Sequence, residues 1–302
     1  MSGSATYAEW IAVDWGTSNL RAWAMRGPEI VAEAGSEKGM GSLTPDGFET
    51  ALLELIDPWL GAAQTPVVAC GMVGARQGWI EAPYTKVPCP PVGGATVKAP
   101  ASDARIDVTL LPGLSQGGPA DVMRGEETQI AGFLAETLGF DGILCMPGTH
   151  TKWVQVSAGE VVSFRTYMTG ELFALLSTQS VLRHSMDDAF DGDAFLSAVR
   201  DGMSDPQAMA GRFFSLRAES LLAAPARGSA KARLSGFLIG AELAAARSYW
   251  LGQRIALLGA GKLSDLYAQA LSAEGAAPET FDVTRATLNG LTAAYNSLKE
   301  SS

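Results

Sequence analysis

Ile11-Ala12-Val13-Asp14-Trp15-Gly16-Thr17-Ser18-Asn19-Leu20-Arg21-Ala22-Trp23 is a hydrophobic run that ends in an acid, a turn of glycine, hydroxyl and amide residues, and a second hydrophobic run. Short apolar runs bounded by turn residues read as two strands joined by a tight hairpin. Such a turn offers backbone N–H groups and hydroxyls to phosphate oxygens, and Asp14 can hold a magnesium ion, usually through water. Taken alone, the segment reads equally as an ordinary hairpin in which Asp14 bonds its own turn.

The same form returns at Leu144-Cys145-Met146-Pro147-Gly148-Thr149-His150-Thr151-Lys152-Trp153-Val154, again strand, glycine-hydroxyl turn, strand. Two such hairpins facing each other across a cleft would grip a triphosphate from both sides, although Pro147-Gly148 by itself is a common turn. A third turn, Ala256-Leu257-Leu258-Gly259-Ala260-Gly261-Lys262-Leu263-Ser264, leads from a strand into a helix. A P-loop would need glycine at Ala256 and a hydroxyl at Leu263, and a Rossmann turn would need glycine at Ser264. What remains is a glycine turn that lets a flat nucleobase approach the backbone closely.

Working outward from these turns, strands are expected at residues 10–13, 20–25 and 29–34, then a helix over 44–60 with Thr44 as its cap and Pro45 in its first turn. A buried strand follows at 66–71. Residues 72–105 are rich in Pro and Gly, carry Trp79 and Tyr84, and read as a long binding loop. Beyond it lie a strand at 108–111, a loop, a helix at 125–138, and strands at 142–146, 152–156 and 161–167. The remainder reads as mainly helical, broken by one strand at 254–258; residues 234–250, interrupted by Glu242 and Arg247, read as a buried helix. Two strand meanders in one chain predict an α/β fold of two related lobes, 1–118 and 119–302, with no repeat visible in the sequence itself.

The length of 302 residues and 47% hydrophobic content suit two domains of about 150 residues each. A formal net charge of −10 argues against nucleic acid or an anionic membrane as partner, because such binding runs on Lys and Arg. Cys70, Cys89 and Cys145 show no CxxC spacing, which speaks against disulfides and a zinc site. No basic region followed by an apolar segment opens the chain, and no apolar stretch approaches the roughly 20 residues of a membrane span, so a cytoplasmic location is expected. The expected partner is a small molecule; a homodimer stays open.

In this order the three turns resemble the first phosphate, second phosphate and adenosine motifs of the actin, sugar-kinase and Hsp70 ATPase superfamily. Four segments resemble the 2-dehydro-3-deoxygalactonokinase family over nearly the whole chain. They are Asp14-Trp15-Gly16-Thr17-Ser18-Asn19-Leu20-Arg21, Met123-Arg124-Gly125-Glu126-Glu127-Thr128-Gln129, Met146-Pro147-Gly148-Thr149-His150-Thr151-Lys152-Trp153 and Met168-Thr169-Gly170-Glu171-Leu172. The resemblance implies two actin-like (ribonuclease H-like) lobes with a central interlobe cleft. It also implies ATP-dependent phosphorylation of 2-dehydro-3-deoxy-D-galactonate at its 6-hydroxyl, in galactonate catabolism, with Mg2+. By the same resemblance Asp14 serves catalysis and the metal; Gly16, Thr17, Ser18 and Asn19 form the first phosphate turn; Gly148, Thr149 and Thr151 the second; and Gly259, Gly261 and Leu263 border adenosine.

Phosphoryl transfer needs positioning, charge stabilisation and a carboxylate that accepts the hydroxyl proton late. The place that other sugar kinases of the superfamily give to an Asp holds Glu126-Glu127 here; Glu126 is the expected base and Glu127 the second choice. Both acids would also suit a helix start for the dipole alone, worth about 0.3–1 kcal/mol. A sugar-acid carboxylate calls for cations or a helix N-terminus, for which Arg124 and Lys152 lead, followed by Arg76 and Trp79. Glu171 is expected to meet a sugar hydroxyl or to act only at a helix start. The alternatives are a hydrolase of the same fold acting on polyphosphate, a kinase of the gluconate epimer, and a nucleotide-switched binding protein.

Overall fold

The first apolar runs form an antiparallel meander of β1 (Trp10–Trp15), β2 (Leu20–Arg26) and β3 (Glu29–Ser36). The structure, a computed structural model, describes residues 7–223 and 226–300. After α1 (Phe48–Ile56), β4 (Thr65–Gly71) returns parallel to β1. Then come β5 (Tyr84–Lys86), β6 (Val97–Lys98) and β7 (Ile106–Leu110), the last parallel to β4, giving the sheet order β3-β2-β1-β4-β7-β6. A hairpin of β8 (Gly113–Gly117) and β9 (Ala120–Met123) adds to β5 as a small separate sheet, and α2 (Glu126–Glu136) follows.

A second meander then begins with β10 (Gly142–Met146), β11 (Thr151–Ser157) and β12 (Glu160–Tyr167). Next are α3 (Thr169–Thr178), α4 (Gly192–Ser204), α5 (Met209–Leu222), α6 (Ser229–Ala245) and α7 (Arg247–Trp250). The chain ends through β13 (Ile255–Leu258), α8 (Gly261–Ala273), β14 (Glu279–Phe281) and α9 (Val283–Glu300). The second sheet has the order β12-β11-β10-β13-β14, with β13 parallel to β10 and β14 parallel to β13. Both sheets thus lay a meander beside parallel strands in one and the same order, the actin-like (ribonuclease H-like) arrangement, present twice.

Alternation along β1 builds two core faces. Ile11, Val13 and Trp15 join Phe48 of α1 and Trp79, while Trp10 and Ala12 join Trp23, Val68, Leu291 and Ala294. Burial on both faces is why β1 reads as a continuous apolar run. The second unit buries Cys145, Trp153, Phe195, Ile239, Leu243 and Tyr267 together. By internal contacts the first unit comprises the chain up to Phe140, Ser157–Ser163 and the segment from Val283 on; the second comprises Asp141–Val156 and Phe164–Asp282. Residues 119–140, expected beyond the lobe boundary, therefore lie in the first unit, where Gly132 of α2 packs on the backbone of Ala286 in α9.

Several local expectations are corrected. The helix expected at 44–60 is α-helical only over Phe48–Ile56, between 3-10 turns at Pro45–Gly47 and Asp57–Trp59, and Thr44 makes no side-chain cap. Pro58, without an N–H, cannot continue the α-helical bonding. The stretch 72–105 contains β5 and β6, and the loop expected before α2 is the β8–β9 hairpin. β14 is a second strand in the region read as helical apart from one strand. Among the described residues no helix is long and apolar enough to cross a membrane.

Candidate active site

In the first unit Asp14 sits at the end of β1, opposite Arg21 in the β2 register, and their side chains pair at 2.5 Å. Cys70 Sγ, on the neighbouring β4, donates to Asp14 Oδ1 at 3.9 Å. The turn is closed by the Gly16 N–H donating to the Asn19 carbonyl at 2.9 Å, and Thr17, Ser18 and Asn19 are exposed. The Met40 and Gly41 N–H groups hold the turn from behind through the carbonyls of Gly16 and Thr17, at 3.0 and 2.9 Å.

Glycines bring three segments together. Gly71 has φ +90° and lies so close that a Cβ there would stand 2.6 Å from the Trp15 carbonyl oxygen. A Cβ on Gly125, at φ +103°, would lie 3.2 Å from the Gly71 Cα. The Asp14 turn, the end of β4 and the start of α2 therefore share one neighbourhood. At that start Glu126 Oε2 accepts from the Arg124 N–H at 3.0 Å, and the Glu127 carboxylate accepts from the Gly125 N–H at 2.7 and 2.9 Å. Glu127 is 1% exposed, and burial, reinforced by the nearby Glu126 charge, pushes its carboxyl up to about 8. Glu126 is only half-buried.

Arg124 is buried, donates through Nη2 to the Ala82 carbonyl at 2.8 Å, and lies over the Tyr84 ring at 4.3 Å. Its Nε and Nη1 are buried with no hydrogen-bond partner. Buried polar groups are nearly always paired, so these two N–H-bearing nitrogens call for an anion or water. Two other expected substrate residues are placed differently. Trp79 is a core residue, 8% exposed and stacked with Phe48 at 6.3 Å, so its ring is spent on packing. Arg76 is a solvated surface side chain 4.0 Å from Glu81.

In the second unit Gly148, Thr149 and His150 form the turn between β10 and β11. The start of α3 is strapped to it: the Glu171 N–H donates to the Thr149 carbonyl at 2.9 Å, and a Cβ on Gly170 would meet the Gly148 carbonyl at 2.3 Å. Glu171 pairs with His150 at 2.6 Å. Thr151 is fully buried and its hydroxyl meets Tyr267 OH at 2.9 Å, so it supports the turn from inside. Lys152 is also buried, with Nζ donating to Thr166 Oγ1 at 2.8 Å. Beyond β13, Gly259 packs against Ser264, and Gly261 opens α8 at φ +68°. A cavity of about 620 Å³ is lined by Gly148 and Thr149 from the second turn, by Leu263 and Leu266 from α8, and by Phe173 and Lys231. The second and third turns thus border one cavity. Sequence reasoning missed Phe173 and Lys231, which carry no motif, and named Tyr84 only as part of the 72–105 loop; Arg21 stood inside a quoted motif, and the strand register would have set it opposite Asp14.

A family model described as 2-keto-3-deoxy-galactonokinase matches residues 14–294. The 2-dehydro-3-deoxygalactonokinase of Escherichia coli (strain K12) is 37% identical over 89% of this chain and 91% of its own length. A candidate 2-dehydro-3-deoxygalactonokinase of Rhizobium meliloti (strain 1021) is 37% identical over 97% of this chain and 98% of its own. A crystal structure of a candidate 2-dehydro-3-deoxygalactonokinase from Sinorhizobium meliloti superposes with a TM-score of 0.89 at 38% identity, covering 96% of this chain and 99% of that one. Motif order, duplicated sheet topology and full-length similarity agree: the chain belongs to the 2-keto-3-deoxy-galactonokinase family.

Proposed function

We propose that the protein is an ATP-dependent carbohydrate kinase that phosphorylates 2-dehydro-3-deoxy-D-galactonate at its 6-hydroxyl, giving 2-dehydro-3-deoxy-6-phospho-D-galactonate. Family membership supports the reaction, and the observation that carries the substrate class is Arg124. Its buried guanidinium has two unpaired nitrogens next to the Glu126-Glu127 start of α2. The oxygen of an anion such as a sugar-acid carboxylate is the partner that such buried, charged N–H groups suit best.

In this reading the half-buried Glu126 accepts the 6-hydroxyl proton as that oxygen attacks the γ-phosphorus and the bond to the bridging oxygen of ADP breaks. Glu127, held neutral by burial near pH 7, keeps the Gly125 backbone in place instead. The nucleoside occupies the 620 Å³ cavity, a size ordinary for such ligands, with Gly259, Gly261 and Leu263 at its border. Gly148, Thr149 and the N-terminus of α3 supply N–H groups and a partial positive charge for phosphate oxygens. The exposed Thr17, Ser18 and Asn19 do the same in the first turn. Thr151 acts by supporting its turn, and Lys152 by charge.

Asp14 fits a magnesium ion. It is a partly exposed carboxylate at a strand end, paired through Oδ2 with Arg21 and beside the exposed Thr17 and Ser18, and magnesium sites take one or two carboxylates plus waters and substrate phosphates. Among the described residues no cluster of three or more His, Cys, Asp or Glu forms a protein cage, as such a site requires none. Bound there, the ion would neutralise charge on the phosphates. ATP as donor fits a cytoplasmic location.

A coupled ADP-release assay with Mg-ATP tests the reading, using 2-dehydro-3-deoxygalactonate, its gluconate epimer, galactonate and no acceptor. ADP release with the first acid alone is the expected outcome. Equal release with no acceptor would replace the kinase by a hydrolase, and preference for the epimer would overturn the stereochemical assignment.

A further inference from the structure

Glu242 lies in α6, which is lined with apolar residues such as Phe237, Ile239 and Leu243, and it is 3% exposed. It accepts hydrogen bonds from three different elements. Trp153 Nε1 on β11 and Tyr267 OH on α8 each reach it at 2.7 Å, and Thr169 Oγ1 at the start of α3 also donates to it. The Tyr267 hydroxyl in turn meets Thr151.

Thr169, Tyr267 and Thr151 each adjoin a wall of the 620 Å³ cavity. Thr169 lines it directly, Tyr267 follows the lining residue Leu266, and Thr151 stands two residues after the lining Thr149. Leu238 and Ile239, on the α6 helix that carries Glu242, line it too. A buried carboxylate is an expensive way to fill space, since an apolar side chain of similar volume avoids the desolvation cost. Burial indeed pushes the Glu242 carboxyl up to about 7 despite the donors from Thr169, Tyr267 and Trp153.

We propose that Glu242 is a positioning residue of the nucleotide pocket: one carboxylate that fixes the second phosphate turn, the start of α3 and α8 relative to one another. The inference rests on the reading that the cavity takes the nucleotide. It assigns Glu242 no contact with ATP. Its effect passes through Thr169 and through the Tyr267–Thr151 hydroxyl pair.

The test measures MgADP binding by calorimetry, thermal unfolding, and KM for ATP and for the sugar acid, in the wild type, Glu242→Leu and Tyr267→Phe. Glu242→Leu is expected to weaken MgADP at least tenfold while its melting temperature holds or rises. Tyr267→Phe, which removes one hydroxyl, is expected to raise KM for ATP severalfold and leave KM for the sugar acid unchanged; it decides the matter should Glu242→Leu fail to fold. ADP affinity and KM for ATP within twofold of wild type in the folded variants would overturn the role of Glu242 while leaving the pocket assignment standing. Changes of similar size in both KM values together with a lowered melting temperature would reduce Glu242 to a structural residue and overturn the role as well. A wild type that binds no MgADP would overturn the pocket assignment, and the role of Glu242 with it.

Discussion

Glu126 and Glu127 share a helix start, yet one is half-buried and the other is 1% exposed. Glu126→Gln is expected to lower kcat by about 10²–10⁴ while MgADP binding stays near wild type, as loss of a general base should. Steady-state kinetics beside calorimetry check this, and wild-type turnover would remove Glu126 from the mechanism. Glu127 carries a stability signature. Burial pushes its folded carboxyl up to about 8 from the ordinary 4.5, so between those values the folded chain keeps a proton that the unfolded chain has released. Its contribution is fully present below about 4.5 and is lost as pH rises through 8, at up to about 1.4 kcal/mol per pH unit. Glu242 acts in the same sense up to about 7. Urea unfolding at pH 6 and pH 8 should therefore show a steeper loss for wild type than for Glu127→Gln. The pair itself was legible in the sequence, but which member is buried was not. The phase of α2 against α9 decides that, and only the fold sets it.

At the scale of elements, α2 is held by a reciprocal glycine crossing. A Cβ on Gly132 would come within 1.8 Å of the Ala286 carbonyl in α9, and one on Gly290 within 1.9 Å of the Thr128 carbonyl in α2. The obstacle is backbone on both sides, so a methyl group cannot be absorbed by rotating a side chain. Gly290→Ala should push the helices apart, lower stability by about 1–3 kcal/mol or more, and reduce kcat by shifting Glu126. Denaturant melts and kinetics of the same sample test both effects. Strongly apolar elements such as β1, β10 and the α6–α7 stretch were readable because burial leaves a pattern. The β8–β9 hairpin and β14 were not, being three to five residues of mostly small or polar character whose pairing is decided elsewhere in the chain. Trp79 misled for a related reason. Its loop folds back tightly, with the Trp79 N–H on the Val73 carbonyl at 2.9 Å, which buries an aromatic that composition alone assigns to a ligand.

On the scale of the whole molecule, the two related α/β units were legible from two meanders, whereas the path between them was not. The first unit is assembled from distant pieces of chain, because α9 covers the second face of its sheet: Leu291 and Ala294 pack there, and Tyr295 stacks on Trp10 at 4.4 Å. A chain ended at residue 282 is expected to lose the fold of the first unit and keep that of the second. Limited proteolysis would show this as a surviving fragment beginning near residue 141. Survival of the first unit would mean that α9 is dispensable to it.

The place of α9 also sets an order of events on the ribosome. Vectorial synthesis usually lets the N-terminal part of a protein finish first. Here the segment that completes the first unit is translated only after the second unit, which has all its strands and helices by residue 282. The nascent chain therefore exposes Trp10, Trp23 and Val68 until α9 has emerged, and that uncovered sheet face is where a chaperone would find it.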